Sequence, residues 1–467
     1  MSGFKLSPQV DANKVFLVQR AQLEGRIDPH QYHHERLSAI AALRKANQVV
    51  PLCQMVRNAK QITTEMSPSD IYIGLENIAS DTGEYVATTD KQSISSAGVF
   101  KKGQILFPKL RPYLNKVHLA EFDGLCSTEF HIFKTNEMDA EFLAIYLRSR
   151  LVVNQTRHLM TGNTLPRLQT EDINRLPVPL LPLEKQRQIV SFYNQANQFK
   201  QQKEQQAATL LASIDGYLLG ELGITLPQQD NSLEKRMFRV SSREVEYRLD
   251  PYYFQSHFID FFEVLGQVSY PIKPVKHLAK KITSGITPLS GGDAYTTEQE
   301  GVPFIRSGNI NIDGSVDFSD LLYLESDVHN GVMKSSKLLK NDLMIAIVGA
   351  TIGQVGIYLD DREANINQAI ALVRLQDDIN PQYVKELIKS SIGQMCLNRL
   401  KRPVARANIN LEEISTLPII LLPFDKQNEI VAHIQAIRTQ ASQLQTEAMQ
   451  ILSDAKAQVE RMILGEG

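Results

Sequence analysis

The stretch Leu181-Pro-Leu-Glu-Lys-Gln-Arg-Gln-Ile-Val190 returns 241 residues later as Leu422-Pro-Phe-Asp-Lys-Gln-Asn-Glu-Ile-Val431. The same offset relates Asp139-Ala-Glu-Phe-Leu143 to Asn380-Pro-Gln-Tyr-Val384. Repeats in solenoid proteins are only about 20–50 residues long, so a solenoid is excluded. The pattern instead predicts an internal duplication, in which a globular module followed by a long helix occurs twice.

Each repeated stretch opens a long helical pattern. The second helix is predicted from Phe424 to Leu464, and its apolar residues follow steps of four and three, with one irregular step near the end, as in a coiled-coil seam. The seam residues are Ile430, Ile434, Ile437, Ala441, Leu444, Ala448, Ile451, Ala455, Val459 and Met462. The first helix, Leu183 to Leu222, follows the pattern less cleanly, and Lys200 and Lys203 are expected to extend past its seam. Two such helices in one chain most simply pack antiparallel.

The modules read as mixed α and β structure. Short apolar stretches between turn residues predict strands at Gln104–Phe107, Phe130–Phe133, Leu343–Val348 and Ala369–Arg374. Helices are predicted at Asp28–Ala46, Asp139–Arg150 and Pro381–Leu397. The expected fold class is α+β, with two related domains that have twisted β cores, separated by two long helices that form an antiparallel coiled coil.

Composition predicts about two to four domains, because domains usually have roughly 100–200 residues and the chain has 467. No apolar stretch approaches the roughly 20 residues of a membrane span, and the first residues lack the apolar core of a secretory signal. We therefore expect a cytoplasmic protein without membrane contact. Cys53, Cys126 and Cys396 lie far apart, which predicts buried thiols and neither a disulfide nor a zinc site.

Basic residues are concentrated locally although the net charge is −2. Residues 99–119 carry five basic side chains and no acidic one, and residues 395–410 carry four and none. A third run comprises Lys273, Lys276, Lys280 and Lys281. One such run is usually a solvated face. Three runs within two related modules indicate contact with phosphates.

Catalytic signatures are missing. The sequence has no GxxxxGK[ST] loop and no GxGxxG that opens a helix. Asp250-Pro-Tyr-Tyr253 is similar to the Asp-Pro-Pro-Tyr tetrapeptide of amino-methyltransferases, but it lacks the second proline. Its counterpart 222 residues earlier is Asp28-Pro-His-Gln31, so both stretches are interpreted as turns that start a helix. We predict no catalytic residue and no cofactor.

Three histidines and a carboxylate, His30, His33, His34 and Glu35, stand close together in the first module. They could be drawn as a metal site. The corresponding stretch of the second module, Tyr252 to His257, keeps only a displaced His257. The sequence therefore favours a surface helix, and no metal site is predicted.

Polar residues of the types that read DNA bases accompany the basic runs. Arginine suits guanine, asparagine and glutamine suit adenine, and serine or threonine suits a base or a phosphate. The candidates are Lys109, Arg111, Tyr113, Lys116, Asn163, Thr164, Arg167, Ser284, Thr287, Arg306, Asn309, Thr351, Gln354, Asn367, Gln368, Arg402 and Arg406. The alternative is that these residues belong to ordinary turns.

Further motifs accompany the doubled helix openings. The first half contains Phe107-Pro-Lys-Leu-Arg-Pro-Tyr-Leu-Asn-Lys116 and Cys126-Ser-Thr-Glu-Phe130. The second contains Ile282-Thr-Ser-Gly-Ile-Thr-Pro288, Gly349-Ala-Thr-Ile-Gly353 and Asn367-Gln368. With these motifs the chain resembles, over nearly its whole length, the specificity subunit of a type I restriction–modification system.

The resemblance implies a non-catalytic subunit with two target-recognition domains, each of which reads one half of a bipartite double-stranded DNA target. It also implies that the helices form a spacer that docks two methyltransferase subunits, and that restriction/translocase subunits join the complex. Adenine methylation and ATP-driven cleavage would belong to these partners. The implied regions are a first target-recognition domain (1–165), a central spacer helix region (166–225), a linker (226–239), a second target-recognition domain (240–406) and a distal spacer helix region (407–467).

Two other classes of protein compete with this interpretation. One is a coiled-coil scaffold that binds protein and does not read DNA. The other is a fused methyltransferase or nuclease, which would need several hundred more residues with a catalytic motif. Binding to DNA that weakens steeply with salt separates a DNA reader from a scaffold.

Overall fold

The computed structural model describes the chain except for residues 1–6, 8–9, 12–13, 19, 21–22, 24–27, 68, 89–94, 163, 229, 231, 238, 242–244, 246–249, 290–291, 403–406 and 467. The chain divides into two compact units. Unit 1 comprises residues 1–204 and 445–467, and unit 2 comprises residues 205–444. Within the described residues, no helix is both long and apolar enough to cross a membrane.

Unit 1 mixes short helices with short strands. Its helices are α1 (His34–Ala46), α2 (Leu52–Met55), α3 (Ala140–Arg148), α4 (Arg150–Thr156), α5 (Thr170–Asn174) and the first part of α6 (Leu183–Leu222). Its strands are β1 (Val49–Pro51), β2 (Val56–Asn58), β3 (Gln61–Thr63), β4 (Tyr72–Ile73), β5 (Ala97–Phe100), β6 (Ile105–Pro108), β7 (His118–Leu119), β8 (Gly124–Cys126), β9 (Phe130–Thr135) and β10 (Pro177–Pro179).

Two four-stranded sheets form the β core of unit 1. One has the strand order β2-β9-β6-β7, and the other has the order β3-β5-β8-β4. Because side chains alternate along a strand, β6 serves two cores at once. Leu106 packs in the apolar cluster between the sheets, whereas Ile105 and Phe107 pack in the cluster under the helices.

Unit 2 contains a similar set of elements. Its helices are α7 (Leu233–Arg236), α8 (Ser256–Gly266), α9 (Ser326–Asn330), α10 (Pro381–Lys389), α11 (Ser391–Leu400), α12 (Leu411–Ser415) and the first part of α13 (Phe424–Leu464). Its strands are β11 (Ile272–Pro274), β12 (Ala279–Ser284), β13 (Tyr295–Thr296), β14 (Val302–Ile305), β15 (Leu322–Leu324), β16 (Lys337–Leu338), β17 (Leu343–Ala346), β18 (Val355–Ile357), β19 (Ala364–Ile366), β20 (Ile370–Leu375) and β21 (Pro418–Ile420).

The strand order of unit 2 repeats that of unit 1. The sheet β12-β20-β17-β18 corresponds to β2-β9-β6-β7, strand for strand along the chain. The pair β11-β21 likewise corresponds to β1-β10. In the remaining sheet of each unit one parallel pair occurs, β4 with β8 and β14 with β19. The α+β class with two related domains is therefore confirmed.

The predicted strands lie within a residue or two of the observed ones, whereas two predicted helices are interrupted. A 3-10 turn over Pro29–Tyr32 precedes α1, and the extended backbone of His33 separates the two. Ser390, with φ −64° and ψ 167°, separates α10 from α11, and Ser149 ends α3 in the same conformation in unit 1. One extended residue turns the chain at each place, so that the following helix packs against the preceding one.

The long helices α6 and α13 have the predicted limits and run antiparallel in both units. In unit 1, the Lys203 amine lies 2.8 Å from the Glu447 carboxylate. In unit 2, the rings of Tyr217 and His433 lie 4.1 Å apart, and Lys426 pairs with Glu221 at 2.8 Å. Residues later in α6 therefore contact residues earlier in α13, which confirms the predicted antiparallel pairing.

The predicted seam is wrong near the end of α13. Leu452 and Ile463 are buried, whereas Ile451 and Met462, which the pattern favoured, are only partly buried. Leu452 and Ile463 pack in the core of unit 1 under the helices. Near its end, α13 therefore packs one apolar face against the core of unit 1 and another against α6.

Lys200 does not extend into solvent, contrary to the prediction. Its side chain is 10% exposed and its amine lies 3.4 Å from Glu84 and 3.2 Å from Glu204. A buried amine is tolerated here because two carboxylates compensate its charge. The prediction for the thiols is confirmed for Cys126 and Cys396, which are buried, but Cys53 on the short helix α2 is exposed.

Candidate nucleic-acid interface

Two turns that contain predicted DNA contacts occupy the same place in the two units. Turn 1 (Arg111–Lys116) follows β6, and turn 2 (Gly349–Gln354) follows β17. An isolated bridge joins the residue before turn 1, Leu110, to Arg167, and the residue before turn 2, Val348, to Asn408. The turns are thus equivalent positions of the duplicated fold.

The two turns also share two left-handed backbone positions. Arg111 and Asn115 have left-handed φ values of 48° and 51°, and they flank a 3-10 turn. In turn 2, Gly349 and Gly353 have φ values of 77° and 94° at the matching positions. Left-handed backbone costs least for glycine and asparagine. Arg111 is therefore held in an unfavourable conformation that a glycine would adopt freely.

The side chains of turn 1 differ in how they are engaged. Arg111 and Tyr113 are exposed, and the Arg111 guanidinium forms no ion pair with any described residue. The Lys116 amine donates to the Leu75 carbonyl at 2.8 Å. Turn 1 therefore presents one unpaired guanidinium and one aromatic ring, with Lys116 bracing the turn from behind.

A side-chain amide holds the backbone of each turn. Asn115 in turn 1 is buried and donates to Asp81 and to the Arg148 carbonyl, both at 2.9 Å. In turn 2, where glycine replaces it, Gln394 of α11 donates to the Gly353 carbonyl at 2.9 Å. Thr351 donates to the Val348 carbonyl at 3.3 Å, and Gln354 is half-buried.

Gly353→Ala is expected to destabilise unit 2 by about 1–3 kcal/mol, because its φ of 94° is strained for a residue with a side chain. A Cβ atom would also stand 2.7 Å from Gln394 Oε1. Gly216→Ala is the matched control: it lies in α6 with open space around it and is expected to stabilise the unit by about 0.5–1 kcal/mol. Hydrogen exchange of the β17 amides measures both changes, and equal effects would contradict the argument.

A cationic cluster lies beside turn 1. Arg167 donates two hydrogen bonds to Glu129 at 3.0 and 3.1 Å, and this pairing lowers the pKa of the Glu129 carboxyl. The Lys60 amine donates to the Thr128 carbonyl at 2.6 Å. Burial lowers the pKa of Lys60, and the neighbouring charge of Lys109 lowers it further. Three cations thus surround one carboxylate, which leaves a net positive surface.

Lys60 was missed in the sequence, where it stands in no basic run. It lies two residues past the pairing of Asn58 with Phe133. Ser284, a predicted contact, lies two residues past the matching pairing of Ile282 with Val373. A strand-by-strand comparison of the two halves would have identified Lys60 as the equivalent of Ser284. That comparison requires the strand register, which the sequence does not provide.

In unit 2 another group of predicted residues comes together. The Thr287 hydroxyl donates to the Gln368 side chain. The backbone N–H of Asn367 donates to the Ile305 carbonyl at 3.1 Å. Arg306 follows Ile305 and lies 3.3 Å from the Asp320 carboxylate. The four side chains of Thr287, Arg306, Asn367 and Gln368 therefore belong to one surface, with Ser284 half-buried at the end of β12.

Asn309 is engaged in the fold. It is 4% exposed, accepts from the Arg306 amide at 2.9 Å and donates to the Asp320 carbonyl at 3.1 Å. Asn77 makes the same turn in unit 1, where it accepts from the Gly74 amide at 2.8 Å. These asparagines shape matching turns, and their equivalence was missed in the sequence.

The remaining predicted contacts are dispersed. Arg402 pairs with Glu413 of α12 at 2.8 Å. Thr164 is exposed in the segment that leads to Arg167. Asn163 and Arg406 lie outside the described residues. Most of the described predicted contacts therefore belong to one group around turn 1 or, in unit 2, to turn 2 and the group that contains Thr287 and Arg306.

Residues 61–209 match the family model described as the type I restriction modification DNA specificity domain. The chain is 29% identical over 151 residues to the type I restriction enzyme EcoDI specificity subunit of Escherichia coli. It is 30% identical over 156 residues to the EcoBI specificity subunit of the same organism. These alignments cover 32% and 33% of this chain, and 34% and 32% of the two relatives, so about a third of each relative is matched.

The fold likeness extends much further than the sequence matches. A chain from a solved structure on complex assembly and conformational transition of the type I R-M system superposes with a TM-score of 0.54. That match covers 89% of this chain and 96% of the other at 17% identity, which shows a shared fold. Residues 61–209 are therefore similar to a type I restriction modification DNA specificity domain, and the chain is similar over about a third of its length to two type I restriction enzyme specificity subunits.

Proposed function

We propose that this chain reads a bipartite double-stranded DNA target, with one half-site read by each unit. The observation that carries the proposal is the pair of equivalent turns, which share two left-handed backbone positions and differ in their side chains. Turn 1 presents Arg111 and Tyr113, whereas turn 2 presents Thr351 and Gln354. Since arginine suits guanine and glutamine suits adenine, the same scaffold would read two different half-sites.

Charge supports binding to the phosphates around each half-site. Lys60, Lys109 and Arg167 supply the cations beside turn 1. Phosphate contacts position a protein on the duplex, and base contacts select the sequence. We assign the lysines to the first role and Arg111 to the second. The proposed target-recognition domains keep the limits 1–165 and 240–406.

The chain would act in the cytoplasm and direct catalytic partners. In unit 1, an open apolar groove of about 430 Å³ lies between α6 and α13, lined by Phe192, Phe199, Ile451 and Ala455. Phe192 and Phe199 are 37% and 50% exposed, which is unusual for rings on a helix pair. We propose that a methyltransferase subunit covers this groove, and that a restriction subunit joins the same complex.

The chain by itself is expected to transfer no methyl group and to cleave no DNA, because the sequence carries no intact nucleotide loop or catalytic tetrapeptide. Incubating the purified chain with DNA and labelled S-adenosylmethionine measures this directly. Methyl transfer should begin when the methyltransferase partner is added. Transfer by the chain without a partner would favour the fused-enzyme alternative.

Binding to DNA at increasing salt tests the proposal against the protein-binding scaffold. The logarithm of the binding constant should fall linearly with the logarithm of salt, by about 0.9 for each phosphate contact. Lys60→Gln is expected to reduce that slope by about 1 on all sequences. Lys45→Gln on the exposed side of α1 is the matched control and should leave the slope unchanged. A chain with no measurable DNA binding at low salt, with its methyltransferase partner present, would favour the scaffold.

A further inference from the structure

Two histidines and a carboxylate meet beside the start of α1. His33 and Glu35 begin the helix, and His158 follows α4, 123 residues after Glu35. Each offers one ligand atom, and these three atoms lie within 4.8 Å of one another. The sequence indicated only the neighbours His30, His33, His34 and Glu35 as possible ligands. Folding supplies the ligand that was missing, from a distant part of the chain.

The contacts within the cluster resemble those of a site without its ion. His158 Nε2 lies 2.8 Å from Glu35 Oε2, so a hydrogen bond joins a nitrogen ligand and an oxygen ligand of the candidate site. The rings of His33 and His158 are stacked with centroids 3.9 Å apart and an angle of 15°. His33 is 8% exposed, and Glu35 and His158 are partly buried. Solvent therefore reaches the cluster from one side.

Only small adjustments separate this arrangement from a bound ion. The His33 ring must turn out of its stack, and it gives up a weak contact in which Nδ1 accepts from the Glu35 amide at 3.4 Å. Two imidazoles and a carboxylate are a common ligand set for Zn²⁺, with water in the fourth position. Arg157 opposes binding, because its positive charge also acts on Glu35.

The equivalent position of unit 2, where a helix start meets the end of α11, lacks these ligands and has an arginine instead. By the offsets of 241 and 222 residues, Arg399 corresponds to His158, and Gln255 and His257 correspond to His33 and Glu35. Arg399 lies over the rings of Tyr253 and Phe262 at 4.0 and 4.6 Å. It also donates to the Tyr253 carbonyl at 3.2 Å. A fixed cation thus joins the helix-start turn to the end of α11 in unit 2.

We propose that His33, Glu35 and His158 bind a divalent transition metal ion of the Zn²⁺ class, which joins α1 to the segment after α4. The ion would supply in unit 1 the positive charge that Arg399 supplies in unit 2. The site shares no residue with turn 1 or with the cationic cluster beside it, so the proposal does not depend on DNA binding.

Calorimetric titration of the full chain with zinc chloride, after treatment with a chelator, tests the site. The unaltered chain should bind one ion, and zinc should raise the temperature at which unit 1 unfolds, because the ion binds only the folded state. His33→Asn removes the ligand but keeps an acceptor that caps α1. His158→Gln removes the second ligand. Each variant should bind zinc at least about 10–100-fold more weakly, the range typical even for partners outside the first shell of ligands.

His257→Gln is the matched control in unit 2 and should bind zinc as the unaltered chain does. His158→Arg copies unit 2, so it should keep the stability of the zinc-free chain and no longer respond to zinc. The proposal is overturned if the unaltered chain shows no stoichiometric site, or if His33→Asn and His158→Gln retain its affinity. An unchanged zinc response of His158→Arg would overturn it as well.

Discussion

Arg438→Ala is expected to lower the free energy of unfolding of unit 2 by about 3–5 kcal/mol, because it leaves a buried carboxylate without its main partner. Arg438 in α13 donates two hydrogen bonds of 2.6 Å to Glu386 in α10, and Glu386 is 4% exposed. Lys385 also contacts Glu386 at 3.0 Å, but it offers a single point charge. The pair ties the helix that follows the β core to the long helix.

The effect of Arg438→Ala should depend on pH. Burial acts to raise the pKa of Glu386, but the hydrogen bonds from Arg438 hold that pKa below its ordinary value. A carboxyl with a depressed pKa contributes stability above its unfolded-state pKa, about 4.3, and loses it as the pH falls through the folded-state value. The difference between the variant and the unaltered chain should therefore be full at neutral pH and shrink in acid.

Arg362→Ala is the matched control for this prediction. Arg362 pairs with Asp360 at 2.8 Å, but its side chain is 57% exposed, so the loss should be only about 0–1 kcal/mol. Hydrogen exchange of the α10 amides measures unit 2 separately, which is needed because a chain with two units does not unfold in one step. Equal losses for the two variants would show that burial of Glu386 is not the cause.

Arg111→Ala is expected to weaken binding to the proposed DNA target by about 1–3 kcal/mol, or about 5–150-fold. The loss should be confined to one half-site, because the unpaired guanidinium is on turn 1 alone and would pair with a base edge. Alanine also fits the left-handed φ of 48° poorly, so Arg111→Gly is the better-matched variant for the backbone. Both variants should lose the same preference.

Competition between DNA targets with single substitutions in either half-site measures this effect. Gln354→Ala on turn 2 should relax the other half-site and leave the first unchanged. Lys45→Ala, which removes a charge on α1 outside both turns, should change neither preference. If Arg111→Gly selects DNA as the unaltered chain does, Arg111 does not read a base.

Part of the candidate interface could be foreseen from the residues alone. Turn 1 was singled out because it lies in the acid-free basic run of residues 99–119, and turn 2 because it is one of the polar stretches that accompany the basic runs. Their equivalence could not be foreseen, since Arg-Pro-Tyr-Leu-Asn-Lys and Gly-Ala-Thr-Ile-Gly-Gln share no residue. What they share is a pattern of left-handed φ values, which becomes apparent only when the two turns are aligned by their strand register.

The sequence by itself determined the long helices, the duplication and the main strands. These features depend on local periodicity and on capping residues, which neighbouring positions specify. The tertiary structure alone decided that Lys200 is buried between Glu84 and Glu204, and that Leu452 replaces Ile451 in a core. It also decided that His158 joins His33 and Glu35. In each case the partner lies far away in the chain, and a contact between distant residues leaves no periodic trace in a single sequence.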